Sequence, residues 1–135
     1  MLEGKKMSSR WMMMGALLSM LAVILGAFGA HYLKPQISQA MLLVYKTGIQ
    51  YQMYHSIALI LVGILVQQNN QVLMLRHLKV AALLFLLGIG VFSGSLYVLS
   101  ITGIKSIGAF TPIGGLAFIV GWIYFLLAVK EIKQN

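Results

Sequence analysis

The sequence predicts an all-α polytopic membrane protein, a four-transmembrane-helix up-down bundle with both termini cytoplasmic. Three observations carry this. Of 135 residues, 60% are hydrophobic and 9% charged, against about 25% charged in soluble domains. The apolar residues fall into four runs near the roughly 20 residues that a helix needs to cross a hydrocarbon core about 30 Å thick. The cations are unevenly shared: Lys5, Lys6, Arg10, Arg76, Lys79, Lys130 and Lys133 fall on one side of these runs, and Lys34, Lys46 and Lys105 on the other. By the positive-inside rule the first side, which holds both termini, is cytoplasmic.

Residues 1–10 read as a basic cytoplasmic segment. Residues 11–33 form the first span, which Leu33-Lys34-Pro35 ends, because the residue before proline is pushed out of helical backbone and Pro35 has no N–H to donate. A basic start followed by an apolar run also fits a signal peptide. The length of the run and the scatter of its small residues favour an uncleaved span. Between Gln36 and Gly48, Ile37, Ala40, Met41 and Val44 recur at helical spacing, predicting a short interfacial helix or an extension of the second span. That span covers 49–66, and Gln67 to Gln71 is the clearest loop. The third span covers 80–101 and the fourth 110–129, with 130–135 as a cytoplasmic tail. Together 11–129 make one domain. Thr111 is expected as the N-cap of the last helix and Pro112 as its first residue. Trp11, Trp122 and Tyr124 are expected as interface anchors.

Small residues punctuate these spans where helices should approach closely. Gly15, Ser19, Ala22, Gly26 and Gly29 step along the first, Gly90-x-x-x-Gly94 lies in the third, and Gly114, Ala117 and Gly121 lie in the fourth. We take Gly26, Gly29, Gly90, Gly94, Gly114 and Gly121 as packing positions, so that leucine at Gly90 or Gly94 should disturb folding or association. Gly88-x-Gly90-x-x-x-Gly94 is not a dinucleotide fingerprint, since the spacing differs and no strand precedes it.

Composition also excludes chemistries. The acids, Glu3 and Glu131, lie at the two ends of the chain, so no carboxylate side chain occurs between Gly4 and Lys130, and catalysis by a buried carboxylate pair is ruled out. With no cysteine there is no thiolate nucleophile or Cys-ligated metal. The +8 charge follows from topology and attraction to anionic lipid at the cytoplasmic face. Nucleic acid is not an expected partner, because no soluble segment carries a basic stripe with interleaved aromatics.

The remaining polar residues gather, on this topology, in the outer half of the bundle. His31 ends the first span, Tyr51, Gln52 and His55 open the second, Ser93, Ser95 and Tyr97 lie late in the third, and Thr111 opens the fourth. These are the candidate binding residues, expected to turn inward and bond one another. Two histidines make a thin ligand set for metal or haem, and a serine–histidine pair lacks an acidic orienting group and an elbow motif. No metal, cofactor or catalytic residue is therefore assigned. The start of the fourth helix would attract an anion if its N–H groups were free, but a capped helix with packing glycines is the simpler account.

Four motifs, one per span, resemble the YgdD-like family of small bacterial inner-membrane proteins of unknown function, related to a small eukaryotic transmembrane family. They are Gly26-Ala27-Phe28-Gly29-Ala30-His31; Tyr51-Gln52-x-Tyr54-His55; Phe92-Ser93-Gly94-Ser95-Leu96-Tyr97; and Thr111-Pro112-Ile113-Gly114-Gly115 with Phe118 and Gly121-Trp122. The resemblance covers about Trp11 to Val129 and implies an uncleaved four-span protein of the bacterial plasma membrane. It implies no activity. The expected function is a non-enzymatic structural, accessory or lipid- or complex-binding protein, alone or as a homo-oligomer. The alternative is an oligomeric transporter or channel for a small solute, using the outer-half polar layer.

Overall fold

The computed structural model describes residues 2–132, with side chains from Met7 on; Met1 and residues 133–135, including Lys133 of the expected basic side, lie outside them. Four helices are long and apolar enough to cross a membrane. The first, α1 (Leu2–Phe28), begins inside the basic segment and runs into a π-helical turn, Gly29–Leu33. No proline interrupts the stretch before Trp11, so good helix formers carry the helix back into it.

The second helix, α2 (Gln39–Gln68), begins ten residues before the expected second span. The segment from Gln36 to Gly48 is thus mostly its opening turns, because Ser38 caps the helix by accepting the Met41 N–H at 3.2 Å and nothing beyond breaks it. The third span is α3 (Val72–Gly88), a π-helical turn Ile89–Ser93, and α4 (Gly94–Thr102). Gly103 closes it with φ 71, donating its N–H to Leu99 at 2.8 Å, a left-handed backbone that glycine adopts without a Cβ penalty. The fourth is a 3-10 helix, Lys105–Phe110, leading into α5 (Thr111–Ile132). Here the expectation for Thr111 is corrected. Its φ of −55 and ψ of −45 are helical, and its N–H is taken by Gly108, so the 3-10 turn does the capping that a threonine side chain was expected to do.

The helices alternate in direction and pack in chain order. α1 lies along α2, α2 meets α3 and α4, and α3 lies along α5. The flanking spans are the less covered: 17% of the first span's most apolar window and 28% of the fourth's are buried, against 44% and 39% for the second and third. The core joins Ala58, Leu59 and Val62 of α2 to Leu78, Ala82 and Phe85 of α3 and Phe118 of α5.

The α1–α2 contact is a heptad of small residues. Ser8, Gly15, Ala22 and Gly29 are all buried and seven apart, the period that keeps one seam against a partner helix. Ser8 donates to the Gly63 carbonyl at 2.9 Å. A Cβ on Gly15 would lie 2.7 Å from Ile60 Cγ1 and against the Ser56 carbonyl, and one on Gly29 would meet the Tyr45 ring. In the other half of the molecule, a Cβ on Gly114 would lie 2.7 Å from Phe92 Cα, and one on Gly121 would lie 2.8 Å from Phe85 Cε1.

Gly26, Gly90 and Gly94 differ. A Cβ at any of them meets nothing within 4 Å among the described residues, so their assignment to packing between this chain's helices is corrected. Gly90 lies inside the π turn at Ile89–Ser93, and Gly94 directly follows it. That wider turn breaks the four-residue spacing that would put both on one contact face. Gly26 lies where α1 and α2 part around a small cavity. Buried Gly48, Gly63 and Gly88 were not assigned to packing from sequence; added methyl groups there would meet Tyr97, Met12 and Phe118.

Candidate functional site

The expected polar layer resolves into three groups of hydrogen bonds and one outlier. The first group centres on Gln52, which is 4% exposed. Its amide nitrogen donates to the Leu18 carbonyl of α1 at 2.8 Å, and its Oε1 accepts from the Tyr97 hydroxyl of α4 at 2.7 Å. One side chain thus ties three spans. Beside it, Ser93 donates to the Gly48 carbonyl at 2.7 Å, where the absence of a Gly48 side chain lets the third span approach.

The second group joins the last two spans. Ser95 Oγ lies 2.7 Å from Thr111 Oγ1 and donates its own proton to the Phe92 carbonyl at 2.9 Å. A hydroxyl has one proton, so Thr111 is the donor of the pair.

The third group is His55. Its Nδ1 lies 2.7 Å from the Tyr51 carbonyl, and its Nε2 lies 3.1 Å from the indole nitrogen of Trp122. A carbonyl only accepts and an indole N–H only donates. The ring is therefore neutral, with its proton on Nδ1, and both nitrogens are occupied. Phe118 stacks on it with centroids 3.5 Å apart and planes 11° apart, and Phe85 packs at 5.4 Å. Among the described residues, no three His, Cys, Asp or Glu side chains gather at metal-binding distance.

His31 is the outlier. It is exposed on the π turn that ends the first span, and no side-chain hydrogen bond joins it to the other groups among the described residues. The depth of the layer also changes. Sixteen residues separate Gln39 from His55, a rise of about 24 Å along a helix of about 45 Å, so the His55–Trp122 pair sits near mid-span rather than in the outer half. Trp122 is accordingly corrected from interface anchor to partner of His55. The signal for it was the Phe118-x-x-x-Trp122 spacing, which puts two aromatics on one helical face.

Beside this pair a groove of about 770 Å³ opens between α2 and α5. Tyr51, Tyr54 and His55 form one wall, Leu116, Phe118, Ile119 and Trp122 the other, and Phe92 and Gly115 complete it. Tyr51 and Phe92 pack with ring centroids 4.6 Å apart, and the side chains at the rim, Tyr54, Leu116 and Ile119, are exposed. The groove faces sideways out of the helix array. Sequence reasoning assigned Tyr51 and His55 to a site but not the aromatic residues opposite them, which lie far away in the chain.

Fold and groove together define a small multi-span membrane protein with a lateral aromatic cleft. A family model described as "Protein of unknown function (DUF423)" matches residues 25–115. The UPF0382 membrane protein YwdK of Bacillus subtilis (strain 168) is 44% identical over 121 residues, covering 90% of this chain and 96% of its own. The UPF0382 membrane protein SH2409 of Staphylococcus haemolyticus (strain JCSC1435) is 40% identical over 118 residues, covering 87% and 93%, and SAB0533 of Staphylococcus aureus (strain bovine RF122 / ET3-1) is 43% identical over the same shares. The chain belongs to this DUF423 family of UPF0382 membrane proteins. No solved structure matches it.

Proposed function

We propose that the chain is a non-enzymatic accessory protein of the plasma membrane that binds a lipid, with an apolar lipid chain seated in the groove between α2 and α5. The observation that carries this reading is the chemistry of the groove wall. His55 and Trp122 spend their ring nitrogens on each other and on the Tyr51 carbonyl. Aromatic faces, aliphatic side chains and the Tyr51 hydroxyl remain to meet a ligand. Its volume of about 770 Å³ falls within the roughly 300–1,000 Å³ of small-molecule sites, which are mostly apolar with a few polar groups. The same bonding gives the transporter reading little to use, since Gln52, Ser93, Ser95, Tyr97 and Thr111 join spans instead of lining a water path.

A cytoplasmic orientation of both termini, anionic lipid at that face, and assembly as a homo-oligomer or within a larger membrane complex belong to the same proposal. So does kinship with the YgdD-like proteins and their small eukaryotic relatives, which rests on the four motifs. Retention of lipid through detergent exchange, read by mass spectrometry, tests the groove. A Cβ on Gly115 would meet only the Phe92 ring, at 3.7 Å, so G115F fills the cleft with little strain on the fold. The wild type should retain a lipid that G115F loses; equal retention by both would overturn the proposal.

A further inference from the structure

A second cavity, of about 390 Å³, lies on the other flank of α2, against α1 and its π turn. Gly26, Gly29 and Ala30 form one wall and Tyr45, Lys46 and Gln50 the other. Lys46 is the uncompensated element. It stands seven residues inside α2, about 10 Å from the helix start. A 30-residue helix of about 45 Å exceeds a hydrocarbon core of about 30 Å by roughly 7 Å at each end, so the Lys46 backbone lies just below the core boundary. Gly26 is seven residues before Leu33, where the first span ends, and lies at the same depth.

A lysine at that level extends its ammonium toward the interface, where an anionic partner stabilises it. This chain has no carboxylate to offer: Glu3 and Glu131 are its acidic side chains, and both belong to helix ends at the opposite end of the array, where α1 begins and α5 finishes. The bilayer supplies phosphate just above this depth, within reach of an extended lysine side chain. At the level of Lys46, Gly26, with nothing within 4 Å of a Cβ among the described residues, leaves room for the glycerol and first acyl carbons.

We propose that this cavity binds an anionic phospholipid, with the phosphate held by Lys46 and the upper acyl region lying against Gly26 and Gly29. The site faces α1 rather than α5 and does not depend on the aromatic groove.

Native mass spectrometry of the full chain in neutral detergent, titrated separately with phosphatidylglycerol and phosphatidylcholine, tests it. The wild type should prefer phosphatidylglycerol by roughly fivefold, the value of one lysine–anionic lipid contact. K46Q should lose that preference and K46R should keep it. G26L, which fills the open volume with the charge intact, should lower phosphatidylglycerol binding. K105Q, which removes another exposed cation at the same end, should leave the preference unchanged, and inorganic phosphate should not displace the lipid. Retained preference in K46Q, no effect of G26L, an equal loss in K105Q, or displacement by free phosphate would each overturn the assignment. K46R and G26L keep the test decisive if K46Q folds poorly.

Discussion

Gln52 shows how a single polar side chain works inside a bilayer. Buried in an apolar medium, both ends of its amide need partners, and it finds them on two different spans, at Leu18 and Tyr97. Interhelical hydrogen bonds in membranes are worth about 0.6 kcal/mol on average and about 1.7 at most. Q52L should therefore lower unfolding stability in detergent by roughly 1–2 kcal/mol, and Y97F by about half as much. A double-mutant cycle should show coupling between the two positions; additive losses would mean that the bond contributes nothing. His55 is held more tightly still, by two hydrogen bonds and a stacked ring. H55N keeps a polar group but loses the stack. It should shift the fluorescence of Trp122 in a W11F background, whereas an unchanged spectrum would mean that the indole is not bonded to this ring. That polar residues sit within the spans is plain in the sequence. That Gln52 meets Leu18 while His55 meets Trp122, and that His31 meets neither, depends on the rotation of each helix about its axis.

At the scale of the helix, small residues and π turns decide which faces touch. Gly15, Ala22 and Gly29 belong to the small-residue seam read from the chain, because a seven-residue period in an uninterrupted helix keeps one face toward its neighbour, whereas Ser8 joins them only once α1 extends back into the basic segment. Gly90 and Gly94 have an equally suggestive spacing, yet Gly90 lies inside a π turn and Gly94 just after it. Neither lies against another helix of this chain. The glycines therefore divide into two classes with opposite expected outcomes. G15A and G114A push a methyl group into neighbouring backbone and should destabilise by roughly 1–3 kcal/mol, the usual cost of overpacking. G90A and G94A should be neutral, or stabilising by up to about 1 kcal/mol through helix propensity. Thermal unfolding of the four variants in one detergent separates the classes, and a loss at Gly90 equal to that at Gly114 would contradict the placement of the third span.

Across the whole molecule, the packing of spans in chain order leaves the first and fourth as flanks. Each covers its inner neighbour on one side and offers a broad apolar face on the other, including Met13, Val23 and Ile24 of α1 and Ile113, Leu116 and Ile119 of α5. Lipid solvates such faces as it does the rest of the hydrocarbon-facing surface. The orientation of the array is testable by topology reporters. Fusions at Gln68 and at the C-terminus should report the cytoplasm, and one at Lys105 the opposite side. An external C-terminus would reverse the membrane face assigned to the Lys46 cavity while leaving its chemistry intact.

Fold class, number of spans and the position of the loop near Gln67 to Gln71, which narrows to Asn69–Gln71 because α2 runs on through Gln68, were determined by the sequence itself. Hydrocarbon thickness sets a length, and backbone hydrogen bonding in lipid permits little but helices, so a local pattern is enough. The groove, the His55–Trp122 pair and the Lys46 cavity were decided only by the tertiary structure. Each joins residues from helices far apart in the chain. Their meeting depends on helix rotation, which two π turns and a 3-10 turn reset, the one in the third span without any proline to announce it. Between helices in lipid there is no hydrophobic gradient to orient a face, so rotation follows from close steric fit and a few hydrogen bonds. Those are properties of the assembled helices rather than of any one segment.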